Sequence, residues 1–395
     1  MPGTDKPYRV YRGGRVKGRV PLEFRPERRR DGRADGKPRR APRPRRPPSW
    51  RRRIGIALLV VFVFLVVWSI AGYLAVRRGV SAANKRLDKT APDVRATLDP
   101  QSGILISHPS DILLLGSDHN ARVLQRANDR HSDSIMVVRT DPSRNRIAYL
   151  SIPRDLKVSI PGHGDEKINA AFQYGGAALA VKTIKEFTGL PVNHVVVVDF
   201  TQFRQLIDDI GGIDITVPEP ILSNKFDCPY TQAKCATWPG WRFGKGRQHM
   251  DGRHALVYSR IRENRLNPSE SDVTRGERQQ QVLQAIASQL VSPTEYFKLP
   301  FNGGGLLKPL ATDLTTGEFM QLAWRKFRAS DSKTLHCRLG GDAAFYGGQS
   351  VIVPNEDNRP VIQEVLGRAA PQPPRPGSGP FGPGCVVGSG QRIGG

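Results

Sequence analysis

Acidic and large apolar residues are scarce at the start of this 395-residue chain. Residues 1–53 carry 20 Lys and Arg side chains against 5 Asp and Glu, a net charge of +15 out of +24 for the whole chain. A segment with so little apolar surface cannot offset the entropy lost on ordering, which predicts a disordered basic arm. Such an arm could bind nucleic acid, but a folded DNA-binding motif would need a helical periodicity, which is absent here. Nucleic acid is therefore not an expected partner.

Charge is missing altogether from the next segment. Residues 54–76 form an apolar run of 23 residues, which as a helix spans about 34 Å against about 30 Å for a bilayer's hydrocarbon core. The run predicts a single transmembrane helix. A cleavable signal peptide is the alternative, but its apolar region is usually about 7–15 residues long and follows a short basic region.

The basic residues also predict the orientation in the membrane. Three arginines, Arg51 to Arg53, directly precede the apolar run, and such residues stay on the cytoplasmic side. The arm is then a cytoplasmic topology determinant that touches anionic lipid head groups. Everything after Arg78 is expected outside the cell membrane.

Cysteine is rare, and its spacing argues against a zinc site. The chain has four cysteines without CxxC spacing and without clustered histidines, whereas structural zinc needs such groups. An even number of cysteines in an exported domain suggests disulfides. Cys228 and Cys235, in one Pro-containing loop, are the predicted pair, and the sequence leaves the pairing of Cys337 and Cys385 open.

The remaining sequence predicts one compact domain with a spacer before it and a tail after it. Residues 77–108 read as a juxtamembrane spacer, 109–368 as the folded domain, and the Pro/Gly-rich residues 369–395 as a solvated tail. Within the domain, apolar strands alternate with helices, which predicts an α/β sheet covered on both faces.

Charged residues cluster at the ends of three predicted strands, 112–115, 134–138 and 147–152. Asp118 follows the first strand, Asp133 precedes the second, and Arg154 and Asp155 follow the third. Strands that bury their middles and present charges at their ends predict a site at this edge of the sheet.

A second polar cluster interrupts the apolar face of a predicted helix. Val282, Ile286 and Leu290 lie at i, i+4 and i+8, which predicts a core-facing stripe. The same stripe, extended toward the N-terminus, meets Gln279 and Arg275. Two long polar side chains are thus expected where a core would be apolar.

Further arginines precede this helix. Arg260 and Arg262 lie two residues apart, and on an extended segment both would point the same way. Bringing several guanidinium groups together costs free energy unless an anion lies among them. The paired N–H groups of a guanidinium match the geometry of phosphate oxygens. The alternative is internal pairing with Asp272, Glu263 or Glu270.

Seven segments in order behind one transmembrane helix resemble the LytR-CpsA-Psr family of cell-wall glycopolymer ligases. They are GSD, SDSIMVV, SIPRD, KINAAF, DIGGIDITV, HMDGRHALVYSRIR and SDVTRGERQQ. The resemblance covers residues 110–293 closely and continues weakly to residue 368. It implies a three-layer α/β/α extracellular domain with a central mixed sheet. It also implies magnesium-dependent transfer of a glycopolymer from a polyprenyl-pyrophosphate carrier to peptidoglycan, as a phosphodiester on the 6-hydroxyl of N-acetylmuramic acid.

The resemblance also assigns roles to single residues. Asp118 and Asp133 match the family's magnesium carboxylates. The pyrophosphate clamp of the family matches Arg154, Arg260, Arg262, Arg275 and Gln279. Asp272 matches an acidic residue beside that clamp, so Arg154, Asp272 and Arg275 are the expected catalytic residues. One departure is His131, at a position where the family often has Arg.

Two other functions use the same features. An exported pyrophosphatase would hydrolyse the same lipid-linked pyrophosphate without an acceptor groove. A membrane-bound regulator would sense envelope precursors outside and act through its basic arm. The carrier's lipid tail also needs an apolar groove, expected between the sheet and the helices at 176–188 and 201–210. The sequence does not predict which glycopolymer is carried.

Overall fold

The computed structural model of the chain describes residues 50–117, 132–267, 272–378 and 381–388. Residues 1–49 of the predicted arm and the predicted site residues Asp118 and His131 lie outside these ranges, whereas residues 50–53 begin the first helix. The backbones of Asp133 and Asp272 are described, but their side chains are not.

In the described chain, groups of one to five strands lie between helices. The helices are α1 Trp50–Thr90, α2 Ala170–Thr188, α3 Phe200–Asp209, α4 Gln232–Thr237, α5 Gly252–Arg260, α6 Asp272–Leu290, α7 Pro293–Asn302, α8 Thr316–Arg328 and α9 Asn358–Val365. The strands are β1 Ser110–Ser117, β2 Ser132–Asp141, β3 Arg146–Ile152, β4 Lys157–Ile160, β5 Gly164–Lys167, β6 His194–Asp199, β7 Ile213–Val217, β8 Ile221–Leu222, β9 Arg242–Phe243, β10 Gly246–Met250, β11 Leu310–Thr312, β12 Leu335–Arg338, β13 Gly341–Tyr346, β14 Gln349–Pro354 and β15 Gly384–Val387.

Helix α1 contains the predicted membrane-spanning run. Within the described ranges it is the one helix long and apolar enough to cross a membrane. It continues past Val76 to Thr90, through much of the predicted spacer. Its buried residues beyond the run, among them Gly79, Val80, Ala83 and Leu87, lie on one helical face. The second half of α1 therefore packs as part of the folded domain.

A seven-stranded sheet forms the centre of the domain, in the order β11-β6-β1-β2-β3-β12-β15. The pairs β1–β6 and β3–β12 are parallel, and the other neighbours are antiparallel. The predicted α/β fold with a mixed central sheet is confirmed.

Alternate residues of each strand face opposite layers, as strand geometry requires. One face carries Leu113, Val137 and Leu150, which pack in a cluster with residues of α2 and α9. The other face packs in smaller clusters: Ile112 lies with Leu314, Phe319 and Leu322 near α8, and Met136 and Tyr149 lie with Leu283 of α6. The sheet thus separates two helical layers.

A second apolar cluster lies beside the sheet. It is built from α3, α5, α6 and the β7–β10 pair, with Ile207, Tyr258 and Val282 almost fully buried. Helix α2, in contrast, packs in the main cluster with the sheet. The two helices expected to border one lipid groove therefore belong to different clusters, and α6 and α8 cover the sheet face opposite α2.

The predicted solvated tail returns to the sheet. Strand β15 pairs with β12, and a disulfide joins Cys337 to Cys385 across this pair. A second disulfide joins Cys228 to Cys235. The folded domain thus extends to residue 387 rather than ending near 368, because a short strand and its disulfide attach the Pro/Gly-rich segment to the core.

Candidate active site

Three strand ends meet at one edge of the sheet. Ser117 at the end of β1 pairs with Ser132 at the start of β2, and Ile152 at the end of β3 pairs with Ile135. Gly116 pairs with Ser134, so Asp133 is the extra residue of a bulge. Bulges redirect side chains and are common next to active sites. The edge predicted from the charged strand ends therefore exists.

A cleft opens at this edge, between strands β2 and β3 and the first turns of α6. Its lining consists of Ser134, Ile135, Ser151, Ile152, Pro153, Arg154, Arg275, Gly276, Gln279, Arg338, Ile352 and Phe381. Gly276 allows the helix to approach the sheet, because a Cβ at this position would lie 2.5 Å from Ser151 Oγ. The glycine thus sets the spacing between the helix and the strand at the cleft.

Helix α6 presents polar side chains toward the sheet, as its interrupted apolar stripe predicts. Arg275 is buried, with 6% of its surface exposed, and Gln279 is half-buried. Ser134 Oγ donates a 2.8 Å hydrogen bond to Gln279 Oε1, which orients the carboxamide. One turn apart on the same helix, Arg275 and Gln279 both line the cleft with Arg154.

The charge next to the cleft is predominantly positive. Lys167 Nζ donates a 2.9 Å hydrogen bond to Asp155 Oδ1, and Arg154 Nε lies 3.4 Å from Asp155 Oδ2. Burial alone would raise the pKa of Asp155, but the Lys167 hydrogen bond and the charges of Arg154, Lys167 and Arg275 hold that pKa below its ordinary value. Asp155 is therefore ionised at neutral pH and positions two cations.

Arg338 is a cleft residue that the sequence did not indicate. It is the last residue of β12, with 6% of its surface exposed. Its Nε donates a 2.8 Å hydrogen bond to the carbonyl oxygen of Gly382, and its Nη1 lies 3.7 Å from Glu277 Oε1. Burial lowers the pKa of Arg338 to about 10, with the charge of Glu277 opposing the shift, so it is cationic at neutral pH. A single arginine in a four-residue strand carries no periodic signal, so only the tertiary structure reveals it.

Comparison with known proteins identifies the family. Residues 73–364, well over half of the chain, match the family model LytR_cpsA_psr. The chain belongs to the LytR-CpsA-Psr family. The cleft therefore lies in a LytR-CpsA-Psr domain, which also includes the second half of α1.

Two of the relatives with curated names are Bacillus subtilis teichoic acid transferases. The chain is 31% identical over 247 residues to polyisoprenyl-teichoic acid–peptidoglycan teichoic acid transferase TagV, which is 62% of this chain and 59% of TagV. It is 32% identical over 233 residues to the transferase TagT, which is 58% of this chain and 68% of TagT. The chain thus spans 59% of the length of TagV and 68% of the length of TagT.

Solved structures of the family share the fold. A structure titled as TagT bound to LIIa-WTA matches with a TM-score of 0.52 and 28% identity, covering 68% of this chain and 94% of that chain. A crystal structure of Bacillus subtilis TagT matches with a TM-score of 0.52 and 26% identity, covering 70% and 97%.

The structure places the other two clamp arginines differently from the expectation. Arg260 is the last residue of α5, not part of an extended segment, and it forms an ion pair with Asp227, the residue before Cys228. Arg262 is exposed two residues later. Between them, the Ile261 carbonyl accepts a 2.8 Å hydrogen bond from Arg278 of α6. The described cleft lining includes neither Arg260 nor Arg262, but this bond ties their segment to the helix that carries Arg275.

Two of the three predicted acidic residues have a described backbone position. Asp133 occupies the bulge in β2, at this edge, and Asp272 begins α6, whereas Asp118 lies outside the described residues. The structure adds Asp199, which is half-buried and pairs in register with Ser117 at the end of β6. Its Oδ1 accepts a 3.1 Å hydrogen bond from the backbone of Gln202. Carboxylate oxygens in small number are the ligand type that suits Mg²⁺.

Proposed function

We propose that this chain is a membrane-anchored phosphotransferase that moves a glycopolymer from a polyprenyl-pyrophosphate carrier to peptidoglycan as a phosphodiester. The observation that carries the proposal is the cleft in which Arg154, Arg275 and Arg338 meet beside Gln279. The names of TagV and TagT describe a transfer of teichoic acid that involves a polyisoprenyl-linked form and peptidoglycan. The proposed topology places the basic arm in the cytoplasm and the cleft outside, in accordance with the positive-inside rule.

A pyrophosphate fits this cleft for electrostatic reasons. Four cations, Arg154, Lys167, Arg275 and Arg338, lie in or next to the cleft with two carboxylates, Asp155 and Glu277. The excess positive charge matches an anionic ligand, and guanidinium forks bind phosphate oxygens in pairs. Gln279 can donate further hydrogen bonds through its amide group. The clamp residues thus bind the donor and neutralise its leaving group.

The proposed reaction balances as a simple displacement. The hydroxyl oxygen of the acceptor sugar forms a bond to the phosphorus that carries the glycopolymer. The bond from that phosphorus to the bridging oxygen breaks, and polyprenyl phosphate leaves. The hydroxyl proton passes to a base, for which a carboxylate at the edge is the ordinary choice. Because charge accumulates on the leaving phosphate in a loose transition state, neighbouring arginines lower the barrier.

Magnesium is the proposed cofactor, held by Asp118 and Asp133. The backbone supports this choice, since positions 117 and 132, each next to one of these residues in the chain, are paired across β1 and β2. When bound, the ion would neutralise negative charge on the pyrophosphate. The residues of the chain that bind and orient the donor remain the arginines and Gln279.

The test uses the full chain in nanodiscs with Mg²⁺, a synthetic polyprenyl-pyrophosphate glycan and a peptidoglycan oligomer. Mass spectrometry should detect a phosphodiester-linked product, which EDTA removes. Arg275→Ala should abolish the product, whereas Arg247→Ala should not. Arg247 is a matched control because its side chain is 75% exposed and pairs with Asp214 on the surface.

The outcomes separate the proposed function from its alternatives. Release of glycan phosphate and polyprenyl phosphate without a linked product would identify a pyrophosphatase. Binding of the lipid without any turnover would favour a sensor of envelope precursors. Equal activity of Arg275→Ala and the intact chain would refute the assignment of the clamp.

A further inference from the structure

Helix α7 contacts α1 inside the apolar run that spans the membrane. Ser69 Oγ and Tyr296 OH are 2.6 Å apart. The rings of Trp68 and Phe301 meet edge to face, with their centroids 5.6 Å apart. Both α1 residues lie within the run 54–76. A helix of the folded domain is thus attached to the membrane-spanning segment itself.

Small residues bring the two helices close together. A Cβ at Gly72 of α1 would lie 3.2 Å from Leu299 Cβ. A Cβ at Gly79 would lie 3.1 Å from the carbonyl oxygen of Gly304, in the turn that follows α7. Val76, between these two glycines, packs with Leu299 and Leu307. Glycine at helix contacts is typical of close packing in membranes, and here it fixes α7 against α1.

The length of the apolar run sets the depth of this contact. A helix needs about 20 residues to cross a hydrocarbon core of about 30 Å. Arg51 to Arg53 mark the start of the run, so a span that begins at Ile54 reaches residue 73 or beyond. Trp68 and Ser69 therefore lie within the hydrocarbon region, and the side chains that touch them lie at the same depth.

The side chains of α7 suit this position. Tyr296 is 36% exposed, Phe297 49% and Phe301 76%. Three exposed aromatic rings on a ten-residue helix are unfavourable in water. Aromatic rings are enriched where a membrane meets water, because their apolar bodies enter the lipid and their polar groups stay near the head groups.

We propose that α7 is a second membrane contact, which lies in the interface of the leaflet beside the folded domain and inserts Phe297 and Phe301 into lipid. The inference rests on the membrane anchoring in the proposed function and is independent of the transfer reaction. A domain anchored by a single helix can rotate and tilt relative to the membrane. A second contact through α7 restricts this motion and holds the cleft in one orientation to the membrane surface.

The experiment measures the depth of single spin labels on the full chain in phosphatidylcholine–phosphatidylglycerol nanodiscs. All four native cysteines are in disulfides, so one added cysteine is the only free thiol. The labelled variants are Phe301→Cys, Phe297→Cys, Val60→Cys and Phe345→Cys. Val60 lies within the apolar run, and Phe345, 77% exposed in the β13–β14 pair, is the matched aromatic control. Collision rates with oxygen, which enters lipid, and with a nickel complex, which stays in water, give the depth.

We expect the oxygen-to-nickel collision ratio at 301 and 297 to exceed that at 345 several-fold and to approach that at 60. A ratio at both α7 positions equal to that at 345 would overturn the proposal. Shielding of both positions from both reagents would also overturn it, because it would show that a second protein copy covers α7. A low ratio at 60 would instead refute anchoring by α1, and thereby the membrane location in the proposed function.

Discussion

The Cys337–Cys385 disulfide should stabilise the domain more than Cys228–Cys235, because it closes a much longer loop. The linked cysteines are separated by 48 positions in the first case and by 7 in the second. The loop-entropy relation then gives about 4 kcal/mol for the long loop and about 2.4 kcal/mol for the short one at 25 °C. Replacing both cysteines of a pair with alanine should therefore cost about 1.6 kcal/mol more for Cys337 and Cys385. Their full burial adds to this difference.

The same substitution should also impair the cleft. Gly382, which accepts the hydrogen bond from Arg338, and Phe381, which lines the cleft, lie within three residues of the start of the strand that this disulfide attaches. The Cys228 and Cys235 variant is the matched control, since its loop lies outside the described cleft lining. Urea unfolding of both detergent-solubilised variants, followed by tryptophan fluorescence, gives the free energies of unfolding, and the transfer assay gives the activities. An equal or reversed order of stability, or full transfer by the Cys337 and Cys385 variant, would refute the reasoning.

Three further predictions concern the cleft. Arg338→Gln should slow single-turnover transfer by about tenfold or more, because hydrogen bonds to charged groups are worth about 1.5–3 kcal/mol; an unchanged rate would remove Arg338 from the clamp. Asp155→Asn should flatten the acid limb of the stability profile. The pKa of Asp155 is lowered in the folded state. Its contribution to the free energy of unfolding is therefore present above the unfolded pKa of about 3.9 and is lost as pH falls through the folded pKa. Urea midpoints between pH 6 and pH 2.5 that fall in parallel for the variant and the intact chain would contradict this. Gly276→Val should push α6 away from Ser151 and weaken binding of a polyprenyl-pyrophosphate analogue. Adding Ser151→Ala to this variant should restore part of the affinity, and isothermal titration measures the affinity of both variants. Wild-type affinity of Gly276→Val alone would show that the spacing is not critical.

The parts predictable from sequence are those that leave a pattern along the chain. Strands β1 to β3 follow from apolar runs, and the edge of the site follows from charges at their ends. Arg275 and Gln279 stand out because they interrupt an apolar helical stripe. In each case the residues that carry the signal are neighbours in sequence or lie one helical turn apart.

The parts that were missed depend on contacts between distant segments. Arg338 reaches the cleft only because β12 pairs with β3, far from it in sequence. Arg260 forms an ion pair with Asp227, which is 33 residues away in the sequence, so the pairing is not visible in the sequence pattern. The continuation of α1 did leave a signal, since Gly79, Val80, Ala83 and Leu87 repeat at helical spacing among the charges of the predicted spacer. For the pairing of the C-terminal segment with the sheet, Cys385 is the only indication in the sequence.

The order of the strands has a consequence for how the domain is made. Strand β12 pairs on one side with β3 and on the other with β15, which is formed by residues 384–387. In a chain that is synthesised from its N-terminus, β12 is therefore an exposed sheet edge until residues 384–387 have been added. Exposed edges invite pairing with other chains. Completion of the sheet, formation of its disulfide and positioning of a cleft arginine thus all depend on residues 382–387. A chain that lacks these residues would have neither the last strand of the sheet nor the hydrogen bond that holds Arg338 at the cleft.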